Sequence, residues 1–330
     1  MGAEELHAVA GEERTQVLDL AARVGGNPFA FCLRYEAPWR YLLGSHVEGA
    51  VAYLERDRVA LVWADPLAAD EDADALLAEA TATLRGRGLR TCLILVGEET
   101  ARRALAGGYA VLKIGEQPYF DLPGWSRPRG DRGKHLRWCL NRAARAGVSV
   151  RPYEPRDERA ATDVLRSWES GLGRPAAQSF LRASPLTLAE EKRIFVAEAA
   201  GGRIEAIVAC TPSAGGAWFL EDLVRRPTAP AGATEALVVE TLGRLADDGA
   251  ARAWLDIAPL RGSARQLDGR AQLLFRAAQP AVALFDSRYH FRALTRYVEK
   301  FVPSGWACRY VALNPAWPTL RVIRAVSSLL

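Results

Sequence analysis

With 330 residues, 49% of them apolar and 25% charged, the chain has ordinary globular composition and enough material for two domains. No run of about 18 apolar residues occurs, so no membrane span is expected, and the acidic start "MGAEELHAVAGEERTQ" lacks the apolar core of a signal peptide. Net charge is only +4, and the five cysteines (Cys32, Cys92, Cys139, Cys210, Cys308) are scattered and odd in number, which points to a reduced, cytoplasmic chain.

In the first half, "AVAYLER" and "RVALVWAD" read as paired strands around a short polar turn. "DEDADALLAEATATLRGRG" predicts a helix with acids in its first turn and arginines in its last, the order the helix dipole favours. "RTCLILVG" predicts a buried strand and "EETARRALAGG" a short helix. From Arg127 to Arg151 there are then eight Lys or Arg and one acid, Asp131. Within that stretch "GKHLRWCLNRAARAG" has helical spacing. Leu136, Cys139, Leu140 and Ala143 share one face; Lys134, Arg137, Asn141 and Arg145 share another. The charge implies a polyanion, RNA or an anionic lipid surface, against the plainer reading of a solvated linker helix.

The second half repeats the order of the first. "RIFVAEAAGGRIEAIVACTPSAGGAWFLEDLVR" predicts three strands. "ATEALVVETLGRLADDG" follows as a helix with Val238, Leu242 and Leu245 on one face, and "RAWLDIAPL" as a strand. Helix, glycine and strand thus recur in "LLAEATATLRGRGLRTCLILV" and "LVVETLGRLADDGAARAWLDIAP". The expected organisation is one α/β unit used twice: residues 1–125, a basic linker helix at 126–147, and residues 148–330.

Five blocks carry a family resemblance by their order: "KIGEQPYFDL", "LRWCLNRAARAG", "FLEDLVRR", "WLDIAPL" and "YHFRALTRYVEKFVPSGWACRYVALNP". Spanning roughly residues 40 to 315, they resemble the cytosolic synthase domain of phosphatidylglycerol lysyltransferases and its stand-alone relatives. The resemblance implies a mixed α/β fold of two tandem GNAT-like domains, an aminoacyl-tRNA donor, and transfer of the aminoacyl group to a hydroxyl or amine. It places the chemistry in the second domain. The family's Asp-Leu-Met-Arg motif is matched by Asp222, Leu223, Val224 and Arg225, and the lysine of its Lys-Phe-x-Pro block by Lys300. Val224 replaces methionine at similar volume. The multi-helix membrane region of the full lysyltransferases has no counterpart here, so a small soluble acceptor is expected ahead of a lipid one.

The residues bear on the donor and on the chemistry. Coenzyme A needs successive backbone N–H groups at a helix N-terminus, whereas the loop "RPTAPAGA" offers Pro227 and Pro230, which have none, and a single glycine, Gly232. Strict alternation places Asp222 with Trp218, Leu220 and Val224, and Arg225 on the other face, unless a β-bulge between them brings the two together. Asp222 is then either the base or the orienter of the donor's ammonium, with Arg225 holding it or binding donor oxygens. The bland alternative is a strand-end ion pair. Lys300 lies off the stripe of Phe291, Leu294, Val298 and Phe301; the resemblance makes it the cation for an oxyanion or for the tRNA phosphate.

Glu221 and Asp256 are further candidates for the donor's ammonium, and Glu116 a weaker one. Tyr297, Arg309 and Tyr310 either line the pocket or complete the core. Lys134, Arg137, Arg142 and Arg145 are the candidates for tRNA contact, read by shape and phosphate. No sequence-local metal motif, phosphate loop or Gly-x-Ser-x-Gly elbow is present, so neither metal nor cofactor is expected. The tail "TLRVIRAVSSLL" places Leu320, Ile323 and Val326 on one face beside Arg321 and Arg324, an interfacial-helix pattern that keeps a phosphatidylglycerol acceptor open. An acyl-coenzyme A N-acyltransferase is the other reading.

Overall fold

A computed structural model describes residues 3–171, 185–273, 275–276, 291–314 and 320–327. The chain runs α1 (Ala3–Val24), a 3-10 helix (Pro28–Arg34), β1 (Arg40–Leu43), β2 (Gly49–Arg56), β3 (Val59–Trp63) and β4 (Leu67–Ala68). It continues through α2 (Ala73–Gly86), β5 (Arg90–Val96), α3 (Glu98–Ala106), β6 (Ala110–Asp121), α4 (Lys134–Arg145), β7 (Ser149–Pro152) and α5 (Glu158–Gly171). Then come β8 (Arg193–Glu198), β9 (Ile204–Ser213), β10 (Ala217–Arg225), α6 (Ala233–Asp247), β11 (Arg252–Trp254) and β12 (Ala258–Pro259). The last described elements are α7 (Phe291–Glu299), β13 (Gly305–Asn314) and α8 (Leu320–Ser327).

One strand arrangement occurs in each half of the chain. β2 and β3 form an antiparallel hairpin, α2 crosses over, and β5 returns parallel to β3. β9 and β10 form a second hairpin, α6 crosses over, and β11 returns parallel to β10. The two units are joined by exchange. β6, which follows the first unit, pairs with β11 of the second; β13, which follows the second, pairs with β5 of the first; and β6 and β13 pair with each other. One sheet results, in the order β1-β2-β3-β5-β13-β6-β11-β10-β9-β8-β7, with β4 beside β2 and β12 beside β6. Strand β13 of the 148–330 stretch therefore lies between two strands of the 1–125 stretch.

Helices cover both faces, which is why the inner strands read as continuous apolar runs. Along β2, Val51 and Tyr53 pack in the cluster containing Leu76 and Leu84 of α2, while Ala50, Ala52 and Leu54 pack in the one containing Val17 and Leu20 of α1. Leu136, Cys139 and Ala143 of α4 are buried while Lys134, Arg137, Asn141 and Arg145 are exposed, as the spacing predicts.

Three expectations change. "RAWLDIAPL" is interrupted between β11 and β12, because the Leu255 N–H turns to the Pro118 carbonyl at 3.2 Å. The α7 stripe is incomplete. Val298 and Phe301 are buried, but Leu294 is 38% exposed, and the Phe291 side chain lies outside the described residues. In α8, Val322 and Ala325 are buried in the core with Leu61 and Trp63 of β3; Leu320, Ile323 and Val326 lie outside the described side chains. Among the described residues no helix is long and apolar enough to cross a membrane.

Candidate active site

β10 and β11 pair only from Ala217/Arg252 to Phe219/Trp254. Beyond that point β10 runs on to Arg225 against β9, while the chain after β11 turns toward β6. The strands splay and leave a cleft of about 460 Å³. Its walls are Leu220, Glu221, Leu223 and Arg225 of β10, Leu255 and Asp256 after β11, Trp168 of α5, Thr234 of α6, and Leu294, Tyr297 and Val298 of α7.

The bulge in β10 falls before Asp222, not between Asp222 and Arg225. Leu220 stands opposite Cys210 and Asp222 opposite Ala209, so Glu221 is the extra residue. Cys210 and Ala209 are neighbours on β9 and point to opposite faces; Leu220 and Asp222 therefore do too. Asp222 keeps Val224 on its face, but not Trp218 or Leu220. Arg225 shares the face of Leu220 and Leu223 instead.

The structure brings Glu221, Arg225, Asp256 and Tyr297 to one cleft; Asp222 does not line it. Asp222 is half-buried, and its charge acts on Cys32, Tyr35 and Lys192. Glu221 is held by residues distant in sequence. The Tyr35 hydroxyl donates to Oε2 at 2.5 Å, the Cys32 thiol to Oε1 at 3.5 Å, and Lys192 Nζ lies 3.9 Å from Oε2. Burial raises the Glu221 pKa against the opposing pull of Tyr35 and Lys192, and burial lowers that of Lys192.

Asp256 accepts from the Ile257 N–H at 2.7 Å and is open to solvent within the cleft. The protein around it pushes its carboxyl up to about 6, against that hydrogen bond and with some help from the Glu221 charge; cleft water screens part of the effect.

Lys300 does not point into the cleft as a lone cation. Its Nζ donates to Glu235 Oε1 at 2.5 Å and lies 4.2 Å from the centre of the Tyr297 ring. Burial alone would raise the Glu235 pKa, but Lys300, the residue's own backbone N–H and Thr234 together hold it below the usual value. Glu235 stands in the first turn of α6, so the chain's own carboxylate occupies a helix N-terminus that otherwise attracts a ligand anion. The loop before it has committed donors as well: Arg226 N–H goes to Glu205 O, Ala229 N–H to Arg226 O, and Ala233 N–H to Pro230 O.

Gly232 leads α6 with φ +92°, and a Cβ there would stand 2.1 Å from the Cys139 carbonyl of α4. Two backbones touch at this point, and only glycine fits. Gly232→Ala is expected to destabilise the fold by about 1–3 kcal/mol in urea titrations. A variant with the midpoint of the parent would remove α4 from the top of α6.

The model of the family described as phosphatidylglycerol lysyltransferase, C-terminal, matches residues 19–313. The chain belongs to this family. Three solved structures resemble this phosphatidylglycerol lysyltransferase-family chain. The C-terminal domain of a putative lysylphosphatidylglycerol synthetase from Agrobacterium fabrum has a TM-score of 0.77 at 19% identity, over 96% of each chain. L-PGS from Bacillus licheniformis has a TM-score of 0.74 at 19% identity, over 96% of this chain and 94% of that one. A conserved protein of unknown function from Bacteroides thetaiotaomicron has a TM-score of 0.63 at 11% identity, over 92% of this chain and 96% of that one. At such identities the likeness shows the fold alone. No curated protein matches the sequence. Family membership makes the chain an aminoacyltransferase.

Other candidates fall outside the cleft of this lysyltransferase-family member. Arg309 is 4% exposed, donates to Gln117 Oε1 at 2.8 Å and does not line the cleft. Burial lowers its pKa against the nearby Asp65 charge. Tyr310 is buried in the core with Val111 and Leu93. Glu116 pairs with Lys113 at 2.7 Å and with Arg261 at 3.0 Å, a structural role. Sequence reasoning missed Glu235, Tyr35 and Lys192. An acid in the first turn of a helix reads as an ordinary dipole partner, and nothing local marks Tyr35 or Lys192 as neighbours of Glu221.

Proposed function

We propose that this aminoacyltransferase takes its aminoacyl group from the ester of an aminoacyl-tRNA and delivers it to a hydroxyl or amine of a small soluble acceptor. The observation that carries the donor is the filled α6 N-terminus. Glu235, Lys300 and the α4 backbone at Gly232 stand where a coenzyme A pyrophosphate needs free N–H groups. An aminoacyl-tRNA needs no such cradle, and its ester is already activated, so positioning supplies much of the acceleration.

In this reading Glu221, fixed by Tyr35 and Lys192, anchors the donor's α-ammonium. Asp256 takes the proton of the acceptor as its oxygen or nitrogen attacks the ester carbonyl. The carbon–oxygen bond to the ribose then breaks, and Asp256 returns the proton to the departing ribose oxygen, which leaves as the free hydroxyl. Arg225, exposed at the cleft wall, meets donor phosphate. Lys300 positions α7 through Glu235 and Tyr297, and Asp222 orients the Glu221 cluster. The division into lobes 1–125 and 148–330, with 126–147 between them, belongs to the same proposal.

A second acceptor has its own support. Leu223, Leu255, Leu294 and Val298 make an apolar wall beside Arg225, which suits the chain and phosphate of phosphatidylglycerol. Incubation with a pool of tRNAs charged with labelled amino acids, followed by cell extract or phosphatidylglycerol vesicles, tests both. Label should leave the RNA and appear in a small molecule; label floating with vesicles selects the lipid. Label that stays on the RNA while acetyl-coenzyme A is consumed sinks the donor.

Lys134, Arg142 and Arg145 form no ion pair among the described residues, whereas Arg137 donates to Gly130 O at 2.8 Å. Reversing the charge of those three should raise the donor KM and flatten its salt dependence, by about one unit of slope for each phosphate that is no longer neutralised. An unchanged slope removes α4 from the donor's path.

A further inference from the structure

One exposed side chain on α4 takes no part in the chemistry of the cleft. Among the described residues Trp138 is 54% exposed, the most exposed of the large aromatic side chains. Indoles normally bury most of their surface. This one stands on a helix whose apolar positions, Leu136, Cys139 and Ala143, are already satisfied underneath it. It lies in a row at i, i+4 and i+8 with Lys134 and Arg142, so cation, ring and cation share one stripe. The Arg142 guanidinium lies 4.8 Å from the indole centre, and the His135 ring 6.0 Å away. Neither Lys134 nor Arg142 is neutralised by an acid among the described residues.

The stripe also has a position. Cys139, the next residue, packs its carbonyl against Gly232 at the head of α6, and Thr234, two residues further on, lines the cleft. Trp138 thus stands on the outer side of α4, the helix whose backbone meets the head of α6 beside the cleft-lining Thr234.

We propose that Trp138, steadied by Arg142, is a stacking platform for an unpaired nucleotide of an RNA whose 3′ end enters the cleft. Every base offers a π-face and every nucleotide a phosphate, so an indole between two cations that meet no acid among the described residues fits single-stranded nucleic acid irrespective of sequence. A membrane surface fits less well. Interfacial helices insert a broad apolar face, and here a lone indole projects among charges while the rest of the apolar face is packed against the protein. The proposal rests on the tRNA donor and adds how its unpaired end is held.

Binding to the full chain should be measured with an RNA hairpin bearing a single-stranded 3′ end, the same hairpin cut blunt, and phosphatidylglycerol vesicles. Trp138→Ala should weaken the first ligand about tenfold and leave the second unchanged. Trp138→Phe should retain most of the affinity. The salt slope should not move, because the substitution removes no charge. The ring's exposure lets both variants fold, which circular dichroism checks. Equal weakening on both hairpins, no weakening on either, or weakening confined to vesicles overturns the proposal. If wild type still discharges aminoacyl-tRNA in those cases, the donor reading survives. If wild type neither binds the hairpin nor discharges aminoacyl-tRNA, both fall together.

Discussion

Asp256→Asn is expected to lower kcat by about 10² to 10⁴, the usual range for loss of a positioned base, with a much smaller change in donor KM. In wild type kcat should rise with pH as Asp256 loses its proton, with a midpoint between the ordinary carboxylate range and about 6. The variant should lack that limb. Stability moves the other way. A carboxyl whose pKa is higher folded than unfolded binds more protons in the native state, so its contribution falls as pH rises through that window. Asp256→Asn should therefore be more stable than wild type at neutral pH, and the gain should vanish in acid. A variant with an unchanged pH–rate profile would move the base elsewhere. Asp222→Asn, altering a group that does not line the cleft, should have the smaller kinetic effect.

Lys300→Met should cost about 3–5 kcal/mol at neutral pH, because it leaves the Glu235 carboxylate buried without its partner. The signs with pH are opposite in parent and variant. In the parent, Glu235 is held below its usual pKa, so the pair's contribution is complete above the unfolded value and is lost as pH falls through the folded one. In the variant, burial persists without the ammonium and raises the Glu235 pKa. Its deficit should then be largest at neutral pH and shrink as acid neutralises the carboxyl. Adding Glu235→Gln should restore most of the missing stability, and transfer activity with it, since the pair positions α7. Urea titrations across the acid range check this. A Lys300→Met profile parallel to that of wild type would mean the ion pair contributes nothing to the fold.

Much of the fold is legible from period and polarity. β2, β3, β5, α2, α4 and α6 each carry their own apolar pattern, and a pattern of period 2 or 3.6 needs no knowledge of distant residues. β6 does not announce itself as a strand in the same way, because its polar positions are satisfied in place. Lys113 pairs with Glu116 at 2.7 Å, and Gln117 accepts from Arg309 of β13 at 2.8 Å. Buried polar groups that pair with one another, within a strand or across a sheet, leave no apolar trace in the sequence. The site is legible in part: Glu221, Arg225, Asp256 and Tyr297 do meet in one cleft. Strict alternation gives Asp222 the wrong neighbours because it assumes an unbroken ladder, and β9 sets the register that puts Glu221 in a bulge.

The sequence alone determined the repeated strand–helix–strand unit, the amphipathic basic helix and the donor-poor loop with Pro227 and Pro230, all consequences of residues close in the chain. Only the tertiary structure decided the rest. It exchanged β6 and β13 between the units, swung Glu221 toward Tyr35 and Lys192, and set Glu235 with Lys300 at the head of α6. Each of these is a contact between distant segments, fixed by backbone pairing and by the cost of leaving a buried charge alone, and neither acts within a short window of sequence.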